Sequence, residues 1–320
     1  MIRFGILSTA RIARALFRHP LDTVQITAVA SRDKAKAEAF ANEFGIPKAM
    51  EGYDRLLADP DIDAVYIALP QHLHAEYVIK AANAGKHILL EKPAALNSAE
   101  LRKMIATCKK RNVLMMEAFM YRFLRVHNRA KEIVQEGTIG ELRYIDFNLS
   151  FNAWARGLDG FRLNKATGGG ALYDLGIYGA DFLRFILGKT PRLVKAHMRK
   201  DKKTGIDVFT HAIYATGPTV ASMTIGFNTD ANSYLLSGER GSIYNTVALS
   251  GRHEPQLLSI HLHKDNSRTE EHFPADTPYK WEIEYFARCI ERNEQPFLSP
   301  ENSLEDMKMI DQLFQKSTLF

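Results

Sequence analysis

The stretch GILSTARIA, residues 5–13, closes the apolar run that begins the chain and leads into a helical pattern. A strand, a tight turn and a helix in that order open a dinucleotide-binding βαβ unit, whose fingerprint is G-x-G-x-x-G/A. Here Ser8 and Ala10 stand where the first two glycines belong, and Ala13 takes the third place. Ser8 keeps a small side chain whose hydroxyl suits a phosphate oxygen. Ala10 adds one methyl where a pyrophosphate would back onto the chain. Free N–H groups at the start of the helix near Arg11 remain as the expected source of anion affinity. Ser8, Ala10 and the amides near Arg11 are therefore the candidate cradle, and an ordinary surface turn stays open as the other reading.

Outward from this loop, strand and helix signals alternate. VQITAVA (24–30), AVYIAL (64–69), HILLE (87–91) and VLMMEAF (113–119) are short apolar runs, as strands covered on both faces should be. From Asp33, apolar residues recur at Ala37, Phe40, Ala41 and Phe44, and Gly45 ends the helix. Asn97 with Glu100 reads as a capping box for a helix with the buried stripe Leu101, Met104, Ile105 and Cys108. Met115 and Met116 read as core. Alternation with short connections implies a parallel, doubly wound sheet.

After about residue 122 the texture changes. A basic helix, Arg122 to Gln135, precedes strand-like stretches at 141–151, 192–199, 206–216, 219–227, 233–237 and 256–263, several of them alternating polar with apolar. Helices are expected near 279–292 and 302–316. The fold class is α/β: an N-terminal Rossmann domain (1–121) followed by a C-terminal α+β domain (122–320) with a large, mostly antiparallel open sheet.

Bulk properties exclude several classes. A chain of 320 residues is long enough for two cores. A formal charge of +5 suits a small anionic ligand and is too mild and dispersed to imply nucleic acid. The densest basic run, RKDKK at 199–203, contains its own Asp201 and reads as a solvated loop. No apolar run approaches the roughly 20 residues of a spanning helix, and no signal-peptide pattern opens the chain, so a cytoplasmic protein without membrane association is expected. Cys108 and Cys289, the only cysteines, are too few for a disulfide framework or a thiolate metal site. His72-x-His74 and His261-x-His263 lack a clear third ligand, so no metal is expected.

At the end of the second strand, about 20 residues past the turn, an NAD-binding chain usually carries an Asp or Glu for the ribose hydroxyls. This chain reads ASRDKAK (30–36), and Ser31, Arg32 and Lys36 offer a hydroxyl and two cations. Such partners suit a 2′-phosphate, hence NADP rather than NAD. Farther on, LLEKPAAL places Glu91, Lys92 and Pro93 at the carboxyl end of a parallel strand, where open α/β sheets bind ligands. A lysine drawn into an apolar cleft becomes a usable general acid and base, because desolvation favours its neutral form. In GGGALYDLGIYGAD (168–181), three glycines are expected to let the chain approach a ligand. A helix then places Asp174, Tyr178 and Asp181 on one face at spacings i, i+4 and i+7. Asp174 can accept a substrate hydroxyl, and Tyr178 can share a proton with Lys92.

AGKHILLEKPAAL (84–96), EAFMYRF (117–123) and GTIGELRYI (137–145) together resemble the Gfo/Idh/MocA family of glucose–fructose oxidoreductase and inositol dehydrogenase, across nearly the whole chain. Many members read D-x-G-x-H where this chain reads D-L-G-I-Y, with Tyr178 in the histidine's place. That variant, with the S-T-A loop, resembles the branch of dimeric dihydrodiol dehydrogenase and NADP-dependent xylose dehydrogenase. The resemblance implies hydride transfer between NADP and a sugar, polyol or dihydrodiol hydroxyl, with Lys92 and Tyr178 as the proton-transfer pair and Asp174 orienting the substrate. It implies Ser8, Thr9, Ala10, Arg11 and Ile12 at the pyrophosphate, and Ser31, Arg32 and Lys36 at the 2′-phosphate. It also implies Leu69, Pro70 and His74 along the adenine-ribose and nicotinamide edge, Glu91 and Lys92 at the nicotinamide ribose, and Tyr279 reaching toward the cofactor. Phe161 and Arg162 stand where many relatives have Trp-Arg lining the cofactor. A homodimer through the open face of the second sheet is implied as well. Two alternatives on the same fold are a catalytically silent NADP-binding regulator and an NAD-dependent glycosidase.

Overall fold

The computed structural model describes residues 1–157, 160–246, 249, 255–264 and 266–320. The chain forms two compact units, Met1–Phe119 with Tyr279–Leu304, and Met120–Pro278 with Glu305–Phe320. The expected division after residue 121 thus omits the return of residues 279–304 to the first unit.

In the first unit six strands form one parallel sheet: β1 (Ile2–Leu7), β2 (Val24–Ser31), β3 (Lys48–Glu51), β4 (Ala64–Ile67), β5 (His87–Glu91) and β6 (Met115–Ala118). Their order across the sheet is β3-β2-β1-β4-β5-β6, a doubly wound arrangement with β1 at the centre. Phe4, Ile6, Leu7, Val65, Ile67, Leu89 and Leu90 are wholly buried, which is why these strands read as unbroken apolar runs. Helices α1 (Lys34–Phe44), α2 (Tyr53–Leu57), α3 (His74–Asn83) and α4 (Ser98–Arg111) connect them. Asp33 caps α1 by accepting the Lys36 N–H at 3.3 Å, and Gly45 ends it at φ +66°. Asn97 caps α4 by accepting the Glu100 N–H at 2.9 Å; the Glu100 carboxylate in turn accepts from Leu96, one residue before the cap, at 3.1 Å. Between β1 and β2 the expected helix is a 3₁₀ run, Arg11–Phe17. Met115 and Met116 lie in the core.

The second unit opens with α5 (Arg125–Gln135) and β7 (Leu142–Ser150). After the glycines, one turn of π-helix, Leu172–Gly176, runs into α6 (Ile177–Leu187). The remaining strands are β8 (Arg192–Lys200), β9 (Asp207–Thr216), β10 (Thr219–Gly226), β11 (Ala231–Gly238), β12 (Gly241–Asn245), β13 (Gln256–Leu262), β14 (Ser267–Phe273) and β15 (Thr318–Leu319). With β7 they make a nine-stranded sheet ordered β14-β13-β12-β11-β7-β10-β9-β8-β15, antiparallel except for the pairs β7–β10 and β8–β15. Helix α7 (Pro278–Arg292) begins the segment that returns to the first unit, and α8 (Pro300–Lys316) follows it.

Alternation along β7 sends Ile145, Phe147 and Leu149 to one face, where α6 packs, and Tyr144, Asp146 and Asn148 to the other. Gly179 lets α6 lie close, since a Cβ there would stand 2.5 Å from Met223 Sδ. Phe182 of α6 is fully buried among Phe147, Tyr234 and Tyr121, with ring centroids 4.8–6.4 Å away. Truncating it removes these contacts and leaves a void that the stacked rings cannot collapse into. Phe182→Ala is expected to destabilise the protein by about 3–5 kcal/mol, read as a lower denaturation midpoint in urea.

Candidate active site

The turn after β1 keeps the path of a glycine fingerprint without its glycines. Ser8 has φ +112°, a conformation that costs a non-glycine residue on the order of 1–3 kcal/mol. Two bonds hold it there: its N–H donates to Ala30 of β2 at 3.0 Å, and its Oγ accepts the Ala10 N–H at 3.0 Å. The amides of Thr9, Arg11 and Ile12 have no acceptor among the described residues. Three N–H groups grouped at the carboxyl end of the central strand fit a pyrophosphate. Because the following helix is a seven-residue 3₁₀ run, the donors belong to the turn itself, and the expected contribution of a long aligned helix is not available.

At the end of β2, Ser31 is buried and its Oγ accepts the Asp33 N–H at 3.2 Å. Arg32 is exposed and lies by the Tyr53 hydroxyl, whose pKa burial raises while Arg32 pulls it down. Tyr53 and Tyr77 form an edge-to-face pair at 5.1 Å beside this guanidinium. Lys36 is exposed and stands 3.9 Å from Asp33. Ser31, Arg32 and Lys36 thus gather at one strand end, and the two tyrosines are partners that no sequence signal marked.

The E-K-P turn follows β5, and three side chains from other elements hold it. Tyr66 of β4 donates its hydroxyl to Glu91. His74 of α3 places Nδ1 2.9 Å from the Pro93 carbonyl and Nε2 2.8 Å from the Leu69 carbonyl. Glu117 of β6, itself buried, accepts the Ala94 N–H at 2.8 Å. Lys92, half-buried, is carried between these anchors. Tyr279 at the start of α7 and the buried Glu282 belong to the same neighbourhood: burial and the Glu91 charge together raise the pKa of both. Leu69 is buried and Pro70 half-buried beside this turn.

His74 is a correction to the expectation from sequence. It is 1% exposed with both ring nitrogens facing carbonyls, of which the neutral ring can donate to one, so it packs between the loops after β4 and β5 and not at an open edge. Tyr66 and Glu117 were not expected, because a Tyr and a Glu inside apolar strands carry no periodic signal.

In the second unit Arg162 and Asp174 pair at 3.3 Å, and the Arg162 guanidinium stacks over the Phe161 ring at 4.8 Å. Asp174 lies within the π turn, a helix irregularity common at functional sites. Tyr178, half-buried in the first turn of α6, meets the Tyr121 ring edge to face at 6.0 Å. Asp181 does not join Asp174 and Tyr178: it is 1% exposed, accepts the Tyr121 hydroxyl and pairs with Arg122 at 2.9 Å. The glycines, too, approach protein where a ligand was expected. A Cβ at Gly169 would lie 2.6 Å from the Arg162 carbonyl, and one at Gly170 would lie 2.0 Å from Asp207 Oδ1.

A doubly wound parallel sheet with a turn of amides unpaired among the described residues after its first strand, followed by a second, mostly antiparallel sheet, is the architecture of a dinucleotide-binding protein with an added domain. Residues 2–119 match the oxidoreductase family model with an NAD-binding Rossmann fold, and residues 127–244 match the GFO/IDH/MocA C-terminal domain. The chain belongs to the Gfo/Idh/MocA oxidoreductase family. It is 34% identical to D-xylose 1-dehydrogenase (NADP(+)) 2 of Haloferax volcanii over 98% of this chain and 97% of that one. It is 30% identical to trans-1,2-dihydrobenzene-1,2-diol dehydrogenase of Xenopus tropicalis over 98% of this chain and 96% of the relative. Both relatives lie in the branch that the D-L-G-I-Y pattern resembles. A 3-ketoreductase from Actinomadura kijaniata, crystallised with NADP and TDP-benzene, superposes with a TM-score of 0.91 at 29% identity, covering 100% of this chain and 98% of that one.

Burial moves the His74 pKa from 6.5 down to about 4, against the opposing pull of the carbonyls. As pH falls from 6.5 toward 4, the unfolded chain takes up a proton here and the folded chain does not, so stability falls through that window. The contribution is on the order of 3 kcal/mol at full shift. Thermal midpoints between pH 7 and pH 4 are expected to fall less steeply in His74→Gln than in the wild-type protein.

Proposed function

We propose that this protein is an NADP-dependent oxidoreductase that moves a hydride between NADP and a carbon bearing a hydroxyl on a sugar, polyol or dihydrodiol. The observation that carries this reading is the E-K-P turn held from three sides, at the carboxyl end of the sheet whose first loop leaves three amides without an acceptor among the described residues. A scaffold that only bound a nucleotide would have no use for so constrained a lysine. The named substrates and cofactor of the relatives support the same class.

The first unit would hold the cofactor. The amides of Thr9, Arg11 and Ile12, with Ser8 and Ala10 setting the turn, would take the pyrophosphate. Arg32, with Ser31 and Lys36 beside it, would take the 2′-phosphate, a role that suits a forked guanidinium. Leu69, Pro70, Glu91 and Tyr279 would line the ribose and nicotinamide side. NADP supplies the hydride acceptor or donor.

This chain's own part is proton transfer and orientation. In the oxidative direction Tyr178, in its phenolate form, takes the substrate hydroxyl proton at its Oη as the hydride leaves, and in reduction it returns that proton, while the Lys92 ammonium stabilises the alkoxide that develops. Asp174, steadied by Arg162, accepts a neighbouring substrate hydroxyl and so fixes which carbon reacts. His74 serves as a positioning residue behind Lys92.

The second unit would bind substrate and pair two copies. Tyr144, Val220 and Tyr244 are exposed on the face of its sheet opposite α6, with Val220 paired to Tyr144 and Leu235 to Tyr244. An open face that sets these side chains among polar ones such as Asp146, Asn148 and Ser222 suits a homodimer interface. No helix among the described residues is long and apolar enough to cross a membrane. The two buried free cysteines accord with a reducing cytoplasm, which completes the reading.

The test is NADPH formation followed at 340 nm across aldoses, inositols and trans-dihydrodiols. Lys92→Met is expected to bind NADP nearly as the wild type does while losing at least about a hundredfold in kcat. NADP binding without turnover on any of these substrates would favour the regulator instead. Arg32→Ala is expected to raise the KM for NADP at least about tenfold and to leave that for NAD within about twofold, since only NADP carries the extra phosphate.

A further inference from the structure

Asp207, the first residue of β9, is 2% exposed and lies far in sequence from the residues proposed for chemistry. Its Oδ2 accepts the Leu172 N–H at 2.7 Å, and its buried Oδ1 has no partner among the described residues. Leu172 opens the π turn that carries Asp174 and leads to Tyr178. N–H groups at the start of a helical segment have no acceptor within it, and a carboxylate from another strand supplies one here.

The approach is possible only because residue 170 is glycine. It has φ +132°, and any Cβ would fall 2.0 Å from Asp207 Oδ1. Gly170 then passes the constraint on in two directions. Its N–H donates to the Arg162 carbonyl at 3.0 Å, and its carbonyl accepts the Asp174 N–H at 3.2 Å. One buried carboxylate therefore locates the backbone of both members of the Arg162–Asp174 pair, and Tyr178 follows one turn later.

We propose that Asp207 is a positioning residue for this reaction: by pinning Leu172 against β9, it sets where Asp174 and Tyr178 present their oxygens to the substrate. The proposal rests on the reading that those two side chains act on substrate. It assigns Asp207 no contact with substrate or cofactor.

The test compares Asp207→Asn, which keeps an oxygen acceptor for the Leu172 N–H, with Asp207→Ala, which does not. Tyr178→Phe is run in parallel. In Asp207→Ala, kcat is expected to fall at least about tenfold, since small displacements of positioned groups cost rate steeply. NADP affinity, measured by fluorescence titration, is expected to fall by less than kcat does, since the turn amides and Arg32 proposed for the phosphates lie on other elements. Hydrogen exchange in the peptide spanning residues 170–178 is expected to speed up. Asp207→Asn should restore kcat to within about threefold of wild type and the protection with it. If the alanine variant does not fold, Asp207→Ser, whose hydroxyl is too short to reach the amide, is read in its place.

Wild-type kcat and unchanged protection in folded Asp207→Ala, alongside a hundredfold loss in Tyr178→Phe, would overturn this proposal and leave the proposed function standing. Full turnover in Tyr178→Phe would overturn both. A lower melting temperature in Asp207→Ala with kcat unchanged at 20 °C would mark a merely structural residue and also overturn it.

Discussion

Wherever a chain leaves a buried strand or begins a helix, it exposes N–H groups that the regular ladders no longer satisfy. An amide left that way inside a protein costs about 1–3 kcal/mol. In this protein each unit meets the need with a buried carboxylate from a neighbouring strand. Glu117 accepts the Ala94 N–H just past the E-K-P turn, and Asp207 accepts the Leu172 N–H at the start of the helix bearing Asp174 and Tyr178. Burying an ionisable group is itself costly, and burial raises the Asp207 pKa to about 7. What the arrangement gains is definition of the backbone at the two places where side chains must be held.

The nucleotide loop follows the opposite logic. Its path is fixed by the Ser8 bonds to Ala30 and Ala10, while the Thr9, Arg11 and Ile12 amides find no acceptor among the described residues in a half-open turn. Donors kept unpaired at a water-accessible site cost little when hydrated and are ready for an anion. The exposed Arg32 at the next strand end belongs to the same design, with its position bounded by the Tyr53–Tyr77 pair. The same unit thus spends buried polar groups on rigidity at one loop and leaves exposed ones available at another.

Much of this was legible in the residues. The unbroken apolar runs marked four of the central strands, because burial on both faces removes polar positions from the pattern. The caps Asp33 and Asn97 and the stop at Gly45 announced themselves through local chemistry. Strands β3, β12 and β14 did not. KAME, GSIYN and SRTEEHF are short or highly charged, and pairing with a neighbouring strand defines them more than any alternation of their own. Among site residues, Arg162 with Asp174 and the cluster around Glu91 came together. His74 and Asp181 turned out to be internal ties, since a polar residue on a helix looks the same in sequence whether it faces a ligand or a carbonyl.

The sequence by itself determined the fold class, the family, and the presence of cations in place of a carboxylate after β2. These follow from burial periodicity, turn chemistry and short motifs, which act within a dozen residues. Tertiary structure alone decided which polar groups face inward. Only there do Tyr66, His74 and Glu117 meet around Lys92, and only there does Gly170 prove to make room for Asp207 and not for a ligand. The partners come from separate strands and helices, and no local pattern encodes a contact between residues so far apart along the chain.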